Sequence, residues 1–162
     1  MVNDFVIEVP ELNDYFPQEY LIQYWKENEH LPKDDDPEWA PYGMEGIKFT
    51  TSPIFDVINK RILKKEMFGW FVKKISNLSM RVHIDFERDA ALILPVGEQD
   101  CTIRYLNDSN ILYEHTYSVP TILNAQIPHA AFNQKIGRKF IQISLYFNNN
   151  NWNDIIKQRI VN

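Results

Sequence analysis

The sequence predicts a mostly β protein with flanking helices, in which an antiparallel sandwich or barrel forms the second half of the chain. From Gly69 onward, short apolar segments recur at roughly ten-residue spacing and are separated by turn-forming residues, as antiparallel strands are. Helical periodicity is confined to the first half and to the last residues. With 162 residues, 44% of them hydrophobic, the chain is expected to form one domain with a single sizeable core.

Three regions are expected within this domain: a helical support and lid region at 1–68, a β core at 69–147 and a C-terminal helix within 148–162. The core strands are predicted from seven segments, GWFVKKIS, SMRVHIDF, AALILPV, CTIRYLN, NILYEHTYS, PTILNAQI and RKFIQISLYF. The clearest turn between them is the hairpin at 107–110, because Asn, Asp and Ser favour turn conformations. The C-terminal helix is predicted at 152–160.

The support region contains a predicted edge strand and two predicted helices. Residues 5–10 form the strand, which ends at a proline. Residues 17–29 carry aromatic and apolar side chains at helical spacing behind a proline suited to a first turn. Residues 52–65 carry a second apolar stripe, and Ser52 is a good N-cap for that helix. We expect both stripes to pack against the sheet.

A proline-rich loop separates the two helices. Its acidic run, Asp34, Asp35 and Asp36, is interpreted as a solvated turn rather than a metal site, because consecutive acids point in different directions. Residues 31–44 also carry Trp39 and Tyr42, so this loop is our candidate for a cover over a substrate, with packing onto the sandwich as the alternative use of the two aromatics.

Composition excludes several classes of function. The net charge of −5 comes without a basic stripe, which argues against nucleic acid as a partner. No apolar run approaches the roughly 20 residues that span a bilayer, and the N-terminus does not resemble a signal peptide. The single cysteine, Cys101, excludes an internal disulfide and is expected to be a packed thiol. A cytoplasmic location is expected, and the abundance of Asn, Ile and Lys hints at a viral or phage genome.

His83, Asp85 and His129 form the ligand set of a facial triad, in which two histidines and one carboxylate hold Fe(II) and leave positions open for other ligands. Residues i and i+2 of a strand point the same way, so His83 and Asp85 can reach one metal, and a later strand must bring His129 across. His115 is a rival third ligand. We favour His129 and expect His115 to be structural or to face a substrate.

Arg138 follows His129 by nine residues and offers a permanently charged fork for a carboxylate, as a dicarboxylic acid such as 2-oxoglutarate requires. In the final strand Arg138, Phe140 and Gln142 alternate onto one face, and Ser144 continues it. If Arg138 points inward, Phe140 and Gln142 line the same pocket. The alternative is an exposed arginine at the start of a strand.

Residues 80–147 resemble the aspartyl/asparaginyl β-hydroxylase and proline hydroxylase branch of the iron(II)/2-oxoglutarate dioxygenases. The resemblance rests on the segments VHIDFER, AALILPVG, CTIRYLND, PTILNAQIPHAAFN and RKFIQISL. It implies a double-stranded β-helix, also called a jelly roll, with Fe(II) and 2-oxoglutarate as cofactor and co-substrate. It also implies an oxygenase that hydroxylates an amino-acid side chain, free or in a peptide, and releases succinate and CO2.

The resemblance suggests further site residues. Arg88 is the nearest match to a basic residue that the family carries near the co-substrate, with a solvated arginine as the alternative. Asn124 and Asn133 flank His129 and would hold the loop that presents it, unless they are plain turn amides. Phe140 departs from the family, where many members place a hydroxyl residue that binds the same carboxylate as the arginine. This departure leaves two alternatives, a non-catalytic jelly-roll binding protein and a cupin-like metalloprotein that does not use 2-oxoglutarate.

Overall fold

The computed structural model describes residues 2–33, 39–61, 66–85, 88–97, 101–116, 118–132, 134–146 and 152–153. The described residues form nine β-strands and two α-helices. In chain order these are β1 Val6–Glu8, α1 Gln18–Asn28, β2 Met44–Phe49, α2 Pro53–Arg61, β3 Glu66–Lys74, β4 Ala90–Val96, β5 Thr102–Asn107, β6 Asn110–Thr116, β7 Thr121–Asn124, β8 His129–Phe132 and β9 Lys139–Tyr146. The predicted mostly β architecture with two helices ahead of the main strands is confirmed.

The strands form two antiparallel sheets. The larger has the order β1-β7-β4-β9-β3-β2, and the smaller has the order β6-β5-β8. One isolated β-bridge joins His83 to His129. The segment that precedes β4 therefore lies along the edge of β8 opposite to β5. The two sheets and this bridge therefore position both histidines at one edge of the smaller sheet.

Two apolar clusters define three layers. One cluster joins α1 and α2 to the larger sheet through residues such as Leu21, Trp25, Ile54, Phe71 and Ile143. The other fills the space between the sheets, with Trp70, Ile93 and Phe140 from the larger sheet against Ile103 and Tyr105 from the smaller. Alternation along β9 assigns its odd-numbered residues to the helical side and its even-numbered residues to the space between the sheets, as the sequence predicts.

Local signals in the sequence account for several elements. Pro17 precedes α1 in an extended conformation, and Ser52 caps α2 by accepting a hydrogen bond from the Ile54 amide at 3.2 Å. The predicted hairpin at 107–110 connects β5 to β6, with Asp108 in the left-handed region at φ 53°. The predicted edge strand is β1, which lies at the end of the larger sheet beside β7.

Other predictions need correction or fall outside the described residues. β2 was not predicted, and SMRVHIDF is a strand only at its single bridge. The acidic run at 34–36, the end of the second predicted helix at 62–65 and most of the C-terminal helix lie outside the described residues, although Trp152 and Asn153 are helical. Cys101 is buried, as expected for a packed thiol. No helix in the described part of the chain combines the length and apolar character needed to cross a membrane.

Candidate metal centre

His83, Asp85 and His129 converge at the edge of the smaller sheet. One ligand atom from each residue lies within 4.8 Å of the others. The Nε2 atom of His83 is 3.4 Å from one carboxylate oxygen of Asp85, and the Nε2 atom of His129 is 3.8 Å from the other. His83 and His129 pair directly across the bridge, so their side chains lie on the same side, as a shared metal requires.

Backbone carbonyls fix the orientation of both imidazole rings. The Nδ1 atom of His83 lies 2.7 Å from the Arg81 carbonyl, and that of His129 lies 2.7 Å from the Ile127 carbonyl. A carbonyl oxygen only accepts, so each Nδ1 must carry the proton and donate it. Each Nε2 then faces the Asp85 carboxylate. Without a metal, a proton on the Nε2 of His83 is donated to Asp85; once that proton leaves, two imidazoles oriented this way suit a divalent metal.

The same hydrogen bonds explain why the chain around His83 is not a continuous strand. In an antiparallel ladder the amides of Asp85 and Ala131 would donate to the carbonyls of Ile127 and Arg81. Here the Asp85 amide donates to Ala125 at 2.9 Å, and the Ala131 amide lies 3.3 Å from the Met80 sulfur. The ladder is thus limited to one bridge, and the carbonyls on either side of it bind the imidazoles.

Arg88 forms an ion pair with the carboxylate of Asp85. Its guanidinium is 3.2 Å from Asp85 Oδ2 and is only 4% exposed, so the solvated alternative is wrong. Its Nε donates to Ser144 Oγ in β9 at 2.8 Å. Gln126 adds a second connection, because its side-chain amide donates to the carbonyls of Asp85 and Arg88. Arg88 therefore links the segment that carries His83 and Asp85 to the inner face of the larger sheet.

The protonation states of the three ligands follow from burial and from one another. Burial lowers the pKa of His83, but the hydrogen bond to Asp85 and the charge of that carboxylate outweigh it, so the pKa is raised. Burial raises the pKa of Asp85, but the hydrogen bond from His83 and the charge of Arg88 lower it overall. Burial lowers the pKa of His129 more than Asp85 raises it. An ionised Asp85 and a neutral His129 are the forms that bind metal.

Asn124 supports the turn that presents His129. Its side-chain amide donates to the Asp4 carbonyl at 3.0 Å, and its side-chain oxygen accepts from the Gln126 amide at 3.1 Å. The turn between β7 and β8 is therefore fixed to the N-terminal segment. Asn133, the other predicted support, lies outside the described residues.

Tyr42 covers one side of His83. The two rings are stacked, with centroids 5.2 Å apart and an interplanar angle of 22°. Lys74, which is buried, donates to the carbonyls of Tyr42, at 2.6 Å, and Leu78. Gly43 follows in the left-handed region at φ 67°, and a side chain there would collide with Ser76. Of the two predicted cover residues, Tyr42 lies at the centre, whereas Trp39 is buried between the sheets against Trp70 and Phe140.

Arg138 is buried next to the inter-sheet space. It is 9% exposed, and its guanidinium carbon lies 4.4 Å from the centre of the Phe140 ring. Phe140 belongs to the cluster between the sheets, so the exposed alternative for Arg138 is wrong. The positive charge of Arg138 adds to burial in lowering the pKa of Lys74. Two cationic side chains thus lie close together at this end of β9.

His115 lies apart from the centre. Its Nε2 is 3.8 Å from a carboxylate oxygen of Glu8 and 3.5 Å from the Thr121 hydroxyl. It does not belong to the cluster of three ligands.

A cavity of about 170 Å³ lies on another side of the site, lined in part by Lys74, Met80 and Ala131.

Several contributing residues were not predicted from the sequence. Ser144 was identified only by its place on the inner face of β9, while Gln126 and Lys74 were not singled out at all. No local signal identifies them, because each acts through a backbone carbonyl or a side chain distant in sequence.

Comparison with protein-family models finds no match to this chain, and no curated protein matches it significantly. The function has to be inferred from the chemistry of the site.

Proposed function

We propose that this protein is an Fe(II)- and 2-oxoglutarate-dependent oxygenase that hydroxylates an amino-acid side chain, free or within a peptide. The observation that carries the proposal is the cluster of His83, Asp85 and His129, with both Nε2 atoms directed at the carboxylate. Two histidines and one carboxylate with open positions are typical of Fe(II) oxygenases. The buried Arg138, directly before β9 in the facing sheet, adds a group suited to a dicarboxylic acid.

The order of the strands supports a double-stranded β-helix. Taking the segment at His83 as a short strand, the eight strands from β3 to β9 alternate between the two sheets, except that β5 and β6 form a hairpin within the smaller sheet. The four core strands of the larger sheet are β7, β4, β9 and β3, and those of the smaller are β6, β5, β8 and the His83 segment. This arrangement is the one expected of a jelly roll, and it brings the His83 segment and β8 side by side.

In the proposed enzyme the chain's own residues bind, orient and shield the reactants. His83, Asp85 and His129 would hold Fe(II), and Arg88 would keep the Asp85 carboxylate in place. Arg138 would bind the distal carboxylate of 2-oxoglutarate by charge-assisted hydrogen bonds. Bound Fe(II) would supply the activation of O2 coupled to decarboxylation of 2-oxoglutarate. Tyr42 would shield the His83 side of the centre from water.

Turnover of 2-oxoglutarate tests the proposal. Purified protein with Fe(II) and ascorbate should convert 2-oxoglutarate to succinate, and a panel of free amino acids and short peptides should accelerate the conversion. The variant Asp85→Ala should lose the conversion, whereas Glu114→Ala, in the smaller sheet at an exposed ion pair, should keep it. Succinate formed equally by both variants would mean that the cluster is not the catalytic centre.

A second candidate function is a metalloprotein of the same fold that does not use 2-oxoglutarate. The observation that favours it is Phe140, which stands where many members of the resembling family carry a hydroxyl group. Such a protein would bind one divalent metal per chain, yet neither 2-oxoglutarate nor succinate would bind to the metal-loaded form.

A further inference from the structure

The inner face of the larger sheet contains two buried hydrogen-bond donors without partners among the described residues, the side-chain amide nitrogen of Gln142 in β9 and the indole nitrogen of Trp70 in β3. A third such donor, the indole nitrogen of Trp39, lies in the same space between the sheets, next to the Trp70 ring. Gln142 is 7% exposed and Trp70 is fully buried. A buried donor without a partner costs free energy, so an acceptor that binds to both of these neighbouring donors would remove that cost.

The two donors are neighbours. Gln142 and Trp70 are directly paired across β9 and β3, so their side chains leave the same face of the sheet at Cβ atoms about 5 Å apart. The Cε3 edge of the indole lies beside Gly46 in β2, since a Cβ added there would come within 3.0 Å of it.

The position of this pair along β9 connects it to the metal centre and to Arg138. Ser144, two residues beyond Gln142 on the same face, accepts the hydrogen bond from Arg88, which contacts the metal ligand Asp85. In the other direction Phe140 and then Arg138 follow. Gln142 and Trp70 thus lie between the residue group that holds Asp85 and the buried guanidinium.

We propose that Gln142 Nε2 and Trp70 Nε1 donate hydrogen bonds to a carboxylate of a small dicarboxylic acid, the class to which 2-oxoglutarate belongs. The inference rests on the proposed function, which supplies the co-substrate. The two nitrogens take over the role that a hydroxyl group at position 140 would have, because Phe140 offers no donor. Arg138 supplies the charge, and the two neutral donors orient the acid relative to the metal.

Substitutions on the two faces of the sheet test the assignment. Gln142→Leu and Trp70→Phe each remove one donor while retaining most of the side-chain volume. Trp25→Phe is a matched control, since the Trp25 indole nitrogen is also buried without a partner but lies on the helical side of the same sheet. The measurements are calorimetric dissociation constants of 2-oxoglutarate and succinate for Mn(II)-loaded protein without O2, the dissociation constant of Mn(II), and urea unfolding of the metal-free protein.

A lost hydrogen bond to a charged group should weaken binding of both acids about 10- to 100-fold in Gln142→Leu and roughly tenfold in Trp70→Phe. Trp25→Phe should bind both acids as the unaltered protein does, and Mn(II) affinity should be the same in all four proteins. Without ligand, Gln142→Leu should be at least as stable as the unaltered protein, because an unpaired buried amide has been removed. A merely structural glutamine would instead give a less stable variant with unchanged acid binding.

The failures of the inference and of the proposed function are distinguishable. If Arg138→Ala loses acid binding while Gln142→Leu and Trp70→Phe retain it, the two nitrogens donate to buried water, which overturns the inference and leaves the function standing. If the unaltered protein binds Mn(II) but neither acid, both are overturned. If both acids bind with the predicted dependence on Gln142 and Trp70, yet the Fe(II) form never produces succinate, the site stands and the oxygenase function fails.

Discussion

Arg88 gives the most quantitative prediction about the stability of the centre. Its guanidinium is nine-tenths buried or more, contacts Asp85 at 3.2 Å and donates to Ser144 at 2.8 Å. Arg88→Met keeps the aliphatic volume but leaves the mostly buried Asp85 carboxylate without its cationic partner. Removing one member of a buried ion pair costs about 3–5 kcal/mol. Because Asp85 remains close to His83 and is 14% exposed, we expect the lower end of this range, about 3 kcal/mol.

The assay is urea unfolding of metal-free protein, analysed as a double-mutant cycle. The cycle compares Arg88→Met, Asp85→Asn and the double variant with the unaltered protein. It isolates the coupling between the two charges. We expect a coupling of about 2–3 kcal/mol, because removing both charges leaves neither one uncompensated. The comparison pair is Arg104 and Glu114, which is partly exposed, and its coupling should be below about 1 kcal/mol. Equal coupling in the two pairs would refute the view that Arg88 compensates a buried charge.

Three further predictions concern Asn124, His115 and Arg138. Asn124→Ala should destabilise the protein by about 1–3 kcal/mol in urea unfolding, because the Asp4 carbonyl and the Gln126 amide lose their partner; an unchanged midpoint would contradict this. Burial lowers the pKa of His115 in the folded protein, so below about pH 6.5 the unfolded chain takes up the proton more readily and stability falls. As the pH falls from 7 to 5, the unfolding free energy of the unaltered protein should therefore decrease more than that of His115→Gln. Arg138→Lys keeps the charge but loses the fork, so calorimetry should show weaker 2-oxoglutarate binding with nearly unchanged Mn(II) binding; equal weakening of both would contradict the assigned role.

The parts of the fold that depend on local patterns could be predicted from the sequence. The stripe at 17–29, the cap at Ser52 and the hairpin at 107–110 each depend on neighbouring residues, and each is present. His129 could be preferred to His115 because it follows Pro128 and precedes Arg138 at the spacing of the family that the chain resembles, and the structure places it beside His83 and Asp85.

The remaining features depend on contacts between distant segments. SMRVHIDF has the alternation of a strand, but the carbonyl of Arg81 binds the imidazole of His83, and the amide of Ala131 lies against Met80. Arg88 occupies a charged segment that is typical of a solvated turn, and its hydrogen bond to the buried Ser144 joins it to a strand 56 residues away. β2 was missed because it follows directly on the proline-rich loop and, among the described strands, pairs with β3 alone.

The central claim is that His83, Asp85 and His129 bind one metal to which 2-oxoglutarate then attaches. The most direct test is an anaerobic calorimetric titration of metal-free protein, first with Fe(II) and then with 2-oxoglutarate. We predict one Fe(II) per chain, its loss in His129→Ala but not in His115→Ala, and binding of 2-oxoglutarate that is much tighter after the metal than before it. Tight binding of Fe(II) by His129→Ala, or binding of 2-oxoglutarate that is indifferent to the metal, would contradict the claim.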